Sequence, residues 1–166
     1  MDLREQINKD LNGAMKGKEE LKTSVLRMLS ASFLNKEKEK RYKLSKDNKE
    51  MKEADLSVKS KLSEEEMIDV ISFEVKKRRE SIEGYEKGGR KEAAQKEREE
   101  MEILKKYLPE QLSEEEIKKI VKEAISQSGA KEQKDMGKVM AVLMPKVKGK
   151  ADGGLVSKIV KELLIS

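Results

Sequence analysis

The segment Lys146–Gly154, here named the lysine segment, has the residue types and spacing that point most directly to chemistry. Lys146, Lys148 and Lys150 occur at every second position. In an extended stretch, side chains two residues apart project to the same side, so three ammonium groups would face one way. Gly149 would let a backbone approach closely. This pattern suits contact with a phosphate backbone.

Two features of the same segment weaken that interpretation. Asp152 is predicted to N-cap the last helix by accepting from its unpaired N–H groups, and a capped, negatively charged helix start is a poorer anion site than a bare one. No aromatic residue is close in sequence to stack on bases. Any RNA contact would therefore recognise the phosphate backbone and the shape of the RNA, not its base sequence. A solvated lysine-rich turn with no ligand explains the same residues equally well.

The net charge of the chain is localised around this segment. Between Lys138 and Lys161 there are six lysines and one acid, which accounts for the whole formal charge of +5. The lysines of a lysine-rich chain commonly do no more than solvate the exposed faces of helices. Their localisation in one segment nevertheless favours a polyanionic partner. A second basic run, Lys76–Arg79, cannot lie on one helix face and is predicted to be partly plain solvation.

The composition argues against autonomous catalysis. The chain has no cysteine and no histidine, which excludes disulfides, thiol chemistry and zinc bound by either residue and removes the commonest general base. Acidic residues are predicted on solvated helix faces, as in the run 97–100. No Gly-x-x-x-x-Gly-Lys-[Ser/Thr] phosphate loop is present. We expect no catalytic residues, no cofactor and no metal.

The elements that must position the lysine segment are helices. Leu3, Ile7, Leu11 and Met15 recur every four residues in a first helix that Gly17 ends. A second helix starts near Leu21 and continues into an exposed, charged tail at residues 36–43. The polar stretch Leu44–Lys61 is predicted to be a mobile connection or a marginal helix.

Two similar helix starts follow. Ser63 with Glu66, and Ser113 with Glu116, have the spacing of capping boxes. The first helix is broken at Gly88-Gly89, and the next is predicted from about Lys91 to Leu108, where Pro109 stops it.

Three amphipathic stripes follow Pro109, with Gly129 as a C-cap between the first two and Pro145 closing the second. The prediction is an all-α protein with an N-terminal long helical hairpin or bundle at 1–108 and a C-terminal three-helix domain at 109–166. Methionines at 136, 140 and 144 share one face, which favours core packing over an adaptable binding surface.

No apolar run approaches the length that spans a membrane. The first five residues are already charged, unlike a signal peptide, and contain two acids, unlike a transit peptide. We therefore expect a cytoplasmic protein with no membrane partner.

Several motifs carry a family resemblance. Asp-Met-Gly-Lys-Val-Met at 135–140, followed by Leu-Met-Pro-Lys-Val-Lys-Gly-Lys-Ala-Asp-Gly at 143–153, closely resembles the GatB/YqeY family. Lys-Arg-Arg-Glu-Ser-Ile at 77–82, Gly-Arg at 89–90 and Tyr-Leu-Pro-Glu-Gln-Leu-Ser at 107–113 fit its stand-alone YqeY-like branch. The connection 44–61 is longer than is usual in that family.

The resemblance implies two helical subdomains, of which the second is similar to the tail of the B subunit of the tRNA-dependent amidotransferase, a tail that grips the outer corner of tRNA. The family also has the label of carbon–nitrogen ligase activity with glutamine as amido donor. That activity belongs to other parts of the amidotransferase, which have no counterpart in this chain, so the label comes only from the association with that enzyme. The tail usually has an Asn-Pro-like pair where this chain has Asp152-Gly153.

We therefore expect a non-catalytic tRNA-binding accessory module; the alternative is an adaptor that docks on an amidotransferase or an aminoacyl-tRNA synthetase. The expected RNA contacts are Lys138, Lys146, Lys148, Gly149 and Lys150, with Pro145, Asp152 and Gly153 shaping the loop.

Overall fold

A computed structural model describes the backbone of residues 2–165 and the side chains of residues 2–164. These residues form eight α-helices, one short 3₁₀ turn and no β-strand, which confirms the predicted all-α class. The chain divides into two units, Met1–Tyr107 and Leu108–Ser166. Within the described residues, no helix has both the length and the apolar character needed to cross a membrane.

Five helices form the first unit: α1 (Leu3–Lys16), α2 (Glu20–Asp47), α3 (Glu53–Lys59), α4 (Glu64–Lys87) and α5 (Lys91–Lys105). Gly17 ends α1, as predicted, and Ser63 begins α4 with the predicted capping box to Glu66. The connection predicted over Leu44–Lys61 is largely helical, since it contains the last turn of α2 and all of α3. Leu56 anchors α3 because its side chain is buried.

Helices α4 and α5 pack together as a helical hairpin that turns at Gly88–Arg90, where Gly89 has a φ of 70°. The prediction that α5 runs to Leu108 is wrong, since it ends at Lys105. Beyond it the chain turns so that the Tyr107 ring is buried and its hydroxyl donates to Asp10 Oδ2 at 2.7 Å.

The apolar stripe predicted along α1 needs one correction. Leu3 and Ile7 are buried, but Ala14 takes the place expected for Met15, which is 42% exposed. An α-helix has 3.6 residues per turn, so side chains at every fourth position rotate gradually around the helix instead of forming a straight line. The fourth member of the row has therefore left the buried face.

Three helices form the second unit: α6 (Glu114–Ser128), α7 (Met136–Val147) and α8 (Gly153–Ile165), with a 3₁₀ turn at Gln133–Asp135 before α7. Gly129 caps α6 with a φ of 67°, as predicted. Met136 and Met140 are partly buried against the core of this unit, whereas Met144 is 38% exposed. The shared core consists of residues 117, 121, 124, 139, 143, 147, 156, 159, 160 and 164.

The prediction that Pro145 closes the second stripe is wrong, because Pro145 lies inside α7 and the helix continues to Val147. A proline inside a helix lacks its own N–H donor and its ring crowds the carbonyl four residues before it, but the N–H groups of the residues that follow can still donate. The N–H of Lys148 still donates to the Met144 carbonyl at 3.0 Å, and the Val147 side chain is buried at 1% exposure. Burial of Val147 stabilises the last turn that the proline disfavours.

Candidate functional site

The chain reverses direction after α7 in a tight β-turn formed by residues Val147 to Lys150. The N–H of Lys150 donates to the Val147 carbonyl at 2.9 Å. Lys148 has φ −56° and ψ 126°, and Gly149 has φ 72°. These angles define a type II turn, which requires a positive φ at its third residue and therefore favours glycine there. The backbone conformation thus gives a reason for glycine at position 149 that is independent of the close approach of a ligand that the sequence suggested.

Two hydrogen bonds from the start of the unit hold this turn. Gln111 Nε2 donates to the Gly149 carbonyl at 2.7 Å, and the Leu112 N–H donates to the Lys150 carbonyl at 2.8 Å. Sequence reasoning missed both residues. The available signal was the apolar Leu112 directly before the capping box of α6, a position that commonly packs against the first helical turn.

Asp152 N-caps α8, as predicted. Its Oδ1 accepts from the Leu155 N–H at 2.9 Å, and its backbone carbonyl accepts from the Val156 N–H at 3.0 Å. Gly153 is the first residue of α8 rather than a loop residue. Of the residues expected to shape a loop, Pro145 and Gly153 thus belong to helices, and the non-helical part of the segment is 148–152.

The prediction that three lysines lie along one extended stretch is wrong. Lys146 occupies the last turn of α7, Lys148 the second turn position and Lys150 the fourth. All three side chains are exposed. Lys146 Nζ donates to Gln127 Oε1 of α6 at 3.0 Å. Lys148 and Lys150 thus lie within the fixed turn, and Lys146 lies directly before it at the end of α7.

Lys138 lies apart from the turn, in the first turns of α7 and eight residues before Lys146, or about 12 Å along the helix axis. Its Nζ pairs with Asp135 Oδ1 at 3.0 Å. This bond, together with the N–H groups of Lys131 and Glu132, lowers the pKa of Asp135 to about 2. Lys138 thus belongs to the start of α7.

A buried ion cluster in the first unit also escaped sequence reasoning. Arg78 and Glu74 are only 8% and 6% exposed, although acids were predicted on solvated faces. Arg78 Nη1 contacts Glu74 Oε2 at 3.1 Å, and Nη2 contacts Glu100 Oε2 at 3.0 Å. Each charge has its counter-ion, so the cluster joins α4 to α5.

Ser128 and Lys131 have a Ser-x-x-Lys spacing, which occurs in some nucleophilic enzymes. Here Ser128 Oγ donates to the Ile125 carbonyl at 3.0 Å and accepts from the Ala130 N–H at 3.3 Å. These bonds serve the end of α6. Across the described residues, no group of three or more acidic side chains is arranged to hold a metal ion.

The fold and this turn define a class of protein: two all-helical units, the second a three-helix unit with exposed lysines around a fixed turn. The family model described as Yqey-like protein matches residues 4–52 and 48–164, so the chain belongs to the YqeY-like family. The two matched parts overlap at residues 48–52, within the connection 44–61. No curated protein matches the chain.

Proposed function

We propose that the second unit is a non-catalytic module that binds tRNA through its phosphate backbone, with Lys146, Lys148 and Lys150 as the main contacts. The observation that carries this proposal is that three exposed lysines lie in, or directly before, a turn fixed by hydrogen bonds from Gln111 and Leu112. A fixed turn loses little conformational entropy on binding, so more of the electrostatic attraction remains as affinity.

Charge and family both support this proposal. The lysine-rich region of residues 138–161 holds the whole charge excess of the chain, and cations concentrated on one surface attract polyanions. Its motifs resemble the amidotransferase tail that grips tRNA. Lysine ammonium groups act as point charges toward phosphates and carry no base information. Recognition would then depend on the shape of the RNA.

A salt titration with bulk tRNA tests the proposal. Filter binding of the wild type should weaken linearly on a logarithmic salt scale, and replacing all three lysines by glutamate should abolish specific retention. Each lost phosphate contact should reduce the slope by roughly 0.7–0.9. The proposal is wrong if the triple variant binds tRNA with unchanged affinity and slope.

The chain offers a matched control for the same change in charge. Lys119, Lys122 and Lys131 are exposed lysines of the second unit away from the turn. Their triple replacement by glutamate should reduce tRNA affinity only through the altered net charge. Equal losses in the two triple variants would show a diffuse attraction rather than a site.

A protein adaptor is the second candidate, and an exposed aromatic residue in the first unit favours it. Phe73 is 61% exposed and lines a groove of about 660 Å³ between α2 and α4. In this second candidate function, the chain docks on an amidotransferase or an aminoacyl-tRNA synthetase, and a segment of that partner occupies the groove. Affinity capture from nuclease-treated lysate separates the candidates: partners lost with the RNA support tRNA binding, and an amidotransferase or synthetase that persists supports the adaptor.

A further inference from the structure

An exposed stripe on the second half of α2 combines an aromatic ring with lysines. Leu34, Lys38, Tyr42 and Lys46 recur every four residues and follow one slowly turning face of the helix. Tyr42 is 68% exposed and Leu34 52% exposed, and both lysines are exposed. We name these four residues the tyrosine stripe.

Tyr42 differs from the other tyrosines of the chain. Tyr107 is buried and donates to Asp10, and Tyr85 lies under the Arg90 guanidinium, 5.0 Å from the ring centroid. The Tyr42 ring is exposed, and within the part of the chain that the structure describes no cation lies over either of its faces. An aromatic ring left in water costs free energy that a stacking partner would recover.

The charge around the tyrosine stripe is positive. From Lys36 to Lys61 the chain has ten lysines and arginines against six acids. Three acids adjoin the stripe in sequence: Glu37 and Glu39 beside Lys38, and Asp47 beside Lys46. Two of them have cationic partners off the stripe, because Glu37 pairs with Arg4 at 2.6 Å and Glu39 with Lys36 at 3.0 Å. Lys38 and Lys46 therefore present cations one helical turn before and after Tyr42, or about 6 Å along the axis on each side.

We infer that the tyrosine stripe binds unpaired nucleotides, with a base stacked on Tyr42 and the neighbouring phosphates beside Lys38 and Lys46. Exposed aromatic rings between cations are the recurrent means of holding single-stranded nucleic acid without reading its sequence. A duplex hides the faces of its bases, so the ring contributes nothing there. A lipid surface would need a broader apolar face than Leu34 and Tyr42 supply.

The test uses the full chain with a short, unstructured, fluorescein-labelled RNA and the duplex formed with its complement. Fluorescence anisotropy should show that Tyr42→Ala weakens binding of the single strand roughly five- to a hundredfold, whereas Tyr42→Phe, which keeps the ring, should change it less than about twofold. Duplex binding should change less than about twofold in both variants. Replacing Lys38 and Lys46 by alanine should reduce the salt slope for the single strand by about 0.7 for each contact.

Phe73→Ala provides the matched control, because Phe73 is an aromatic residue on α4 with a similar exposure, 61% against 68% for Tyr42. It should leave single-strand affinity unchanged. The inference is overturned if Tyr42→Ala binds the single strand like the wild type, if Phe73→Ala weakens it equally, or if the duplex loses as much as the single strand. The stripe lies on the first unit, so its test and that of the lysine turn succeed or fail separately.

Discussion

The backbone N–H of Leu112 donates to the Lys150 carbonyl at 2.8 Å, so the residue before the α6 cap holds the turn that precedes α8. A related bond occurs in the first unit, where the Leu62 N–H donates to Glu37 Oε1 at 3.2 Å. Both leucines directly precede the serine of a capping box. Each Leu-Ser-Glu-Glu-Glu segment therefore caps its own helix and also fastens that helix to a distant part of its unit.

Replacing Gly149 by alanine should destabilise the second unit. Its φ of 72° is a left-handed conformation, which costs about 1–2 kcal/mol for a residue with a Cβ. Hydrogen–deuterium exchange should accelerate in peptides from α7 and α8, since local opening becomes less costly.

Gly137→Ala is the opposing control. Gly137 lies in α7, and a Cβ there would meet no neighbour within 4 Å. Alanine should stabilise α7 by about 0.5–1 kcal/mol because it restricts the unfolded chain. Equal exchange rates in the Gly149→Ala variant and the wild type would contradict the type II turn.

Two substitutions of Asp152 separate its capping from its charge. Asp152→Ala removes the acceptor of the Leu155 N–H and should cost about 0.5–2 kcal/mol. Asp152→Asn keeps a good cap while removing the negative charge beside the lysines. If the turn binds tRNA, this variant should bind roughly two- to fivefold more tightly at low salt. Weaker tRNA binding by Asp152→Asn, measured by filter titration, would count against the site.

Local signals in the sequence predicted much of the fold. The cap at Ser63 depends on residues within one helical turn, as does the end of α6 at Gly129, so the printed sequence contains all the information these features need. Pro145 shows the limit of that approach. Whether a proline ends a helix depends on what its following residues bury, and the burial of Val147 is a tertiary property.

The candidate site was predicted in composition but not in shape. Alternating lysines suggested an extended stretch, whereas Gly149 and the bonds from Gln111 and Leu112 produce a turn. Those bonds join residues about forty positions apart, a pairing that no periodicity in the sequence encodes.

The pairing of Asp135 with Lys138 should make stability depend on pH in the acid range. The pKa of Asp135 falls from its ordinary 3.8 to about 2, chiefly because Lys138 donates to it. A lowered folded-state pKa gives stability that is present above about pH 4 and is lost as the pH falls toward 2. Asp135→Asn lacks this titration, so its melting temperature should lie below that of the wild type at pH 5 and approach it at pH 2. Parallel melting curves over that range would contradict the assignment.

Arg78 gives the largest predicted effect on stability. Arg78→Ala would remove the closest counter-ion of the buried Glu74 and leave only Lys77 Nζ, 3.7 Å from the same carboxylate oxygen. Breaking a buried ion pair costs about 3–5 kcal/mol, and the exposed Lys77 should offset only a small part of that loss. Urea unfolding followed by circular dichroism should show that the first unit of this variant unfolds at a lower urea concentration than in the wild type. Arg78→Lys keeps the charge but lacks the fork that reaches Glu74 and Glu100 together, so its loss should be intermediate.

The double variant Glu74→Leu with Arg78→Met distinguishes the burial of an unpaired charge from the loss of packing. It removes both members of the Glu74–Arg78 pair and fills the space with apolar atoms, while Glu100, at 18% side-chain exposure, loses Arg78 in both variants. Its unfolding midpoint should therefore lie closer to that of the wild type than to that of Arg78→Ala. If the double variant is as unstable as Arg78→Ala, the ion pair itself stabilises the junction of α4 and α5. If Arg78→Ala costs less than about 1 kcal/mol, the prediction is wrong, and Lys77 and Ser32 Oγ satisfy the Glu74 carboxylate without the guanidinium.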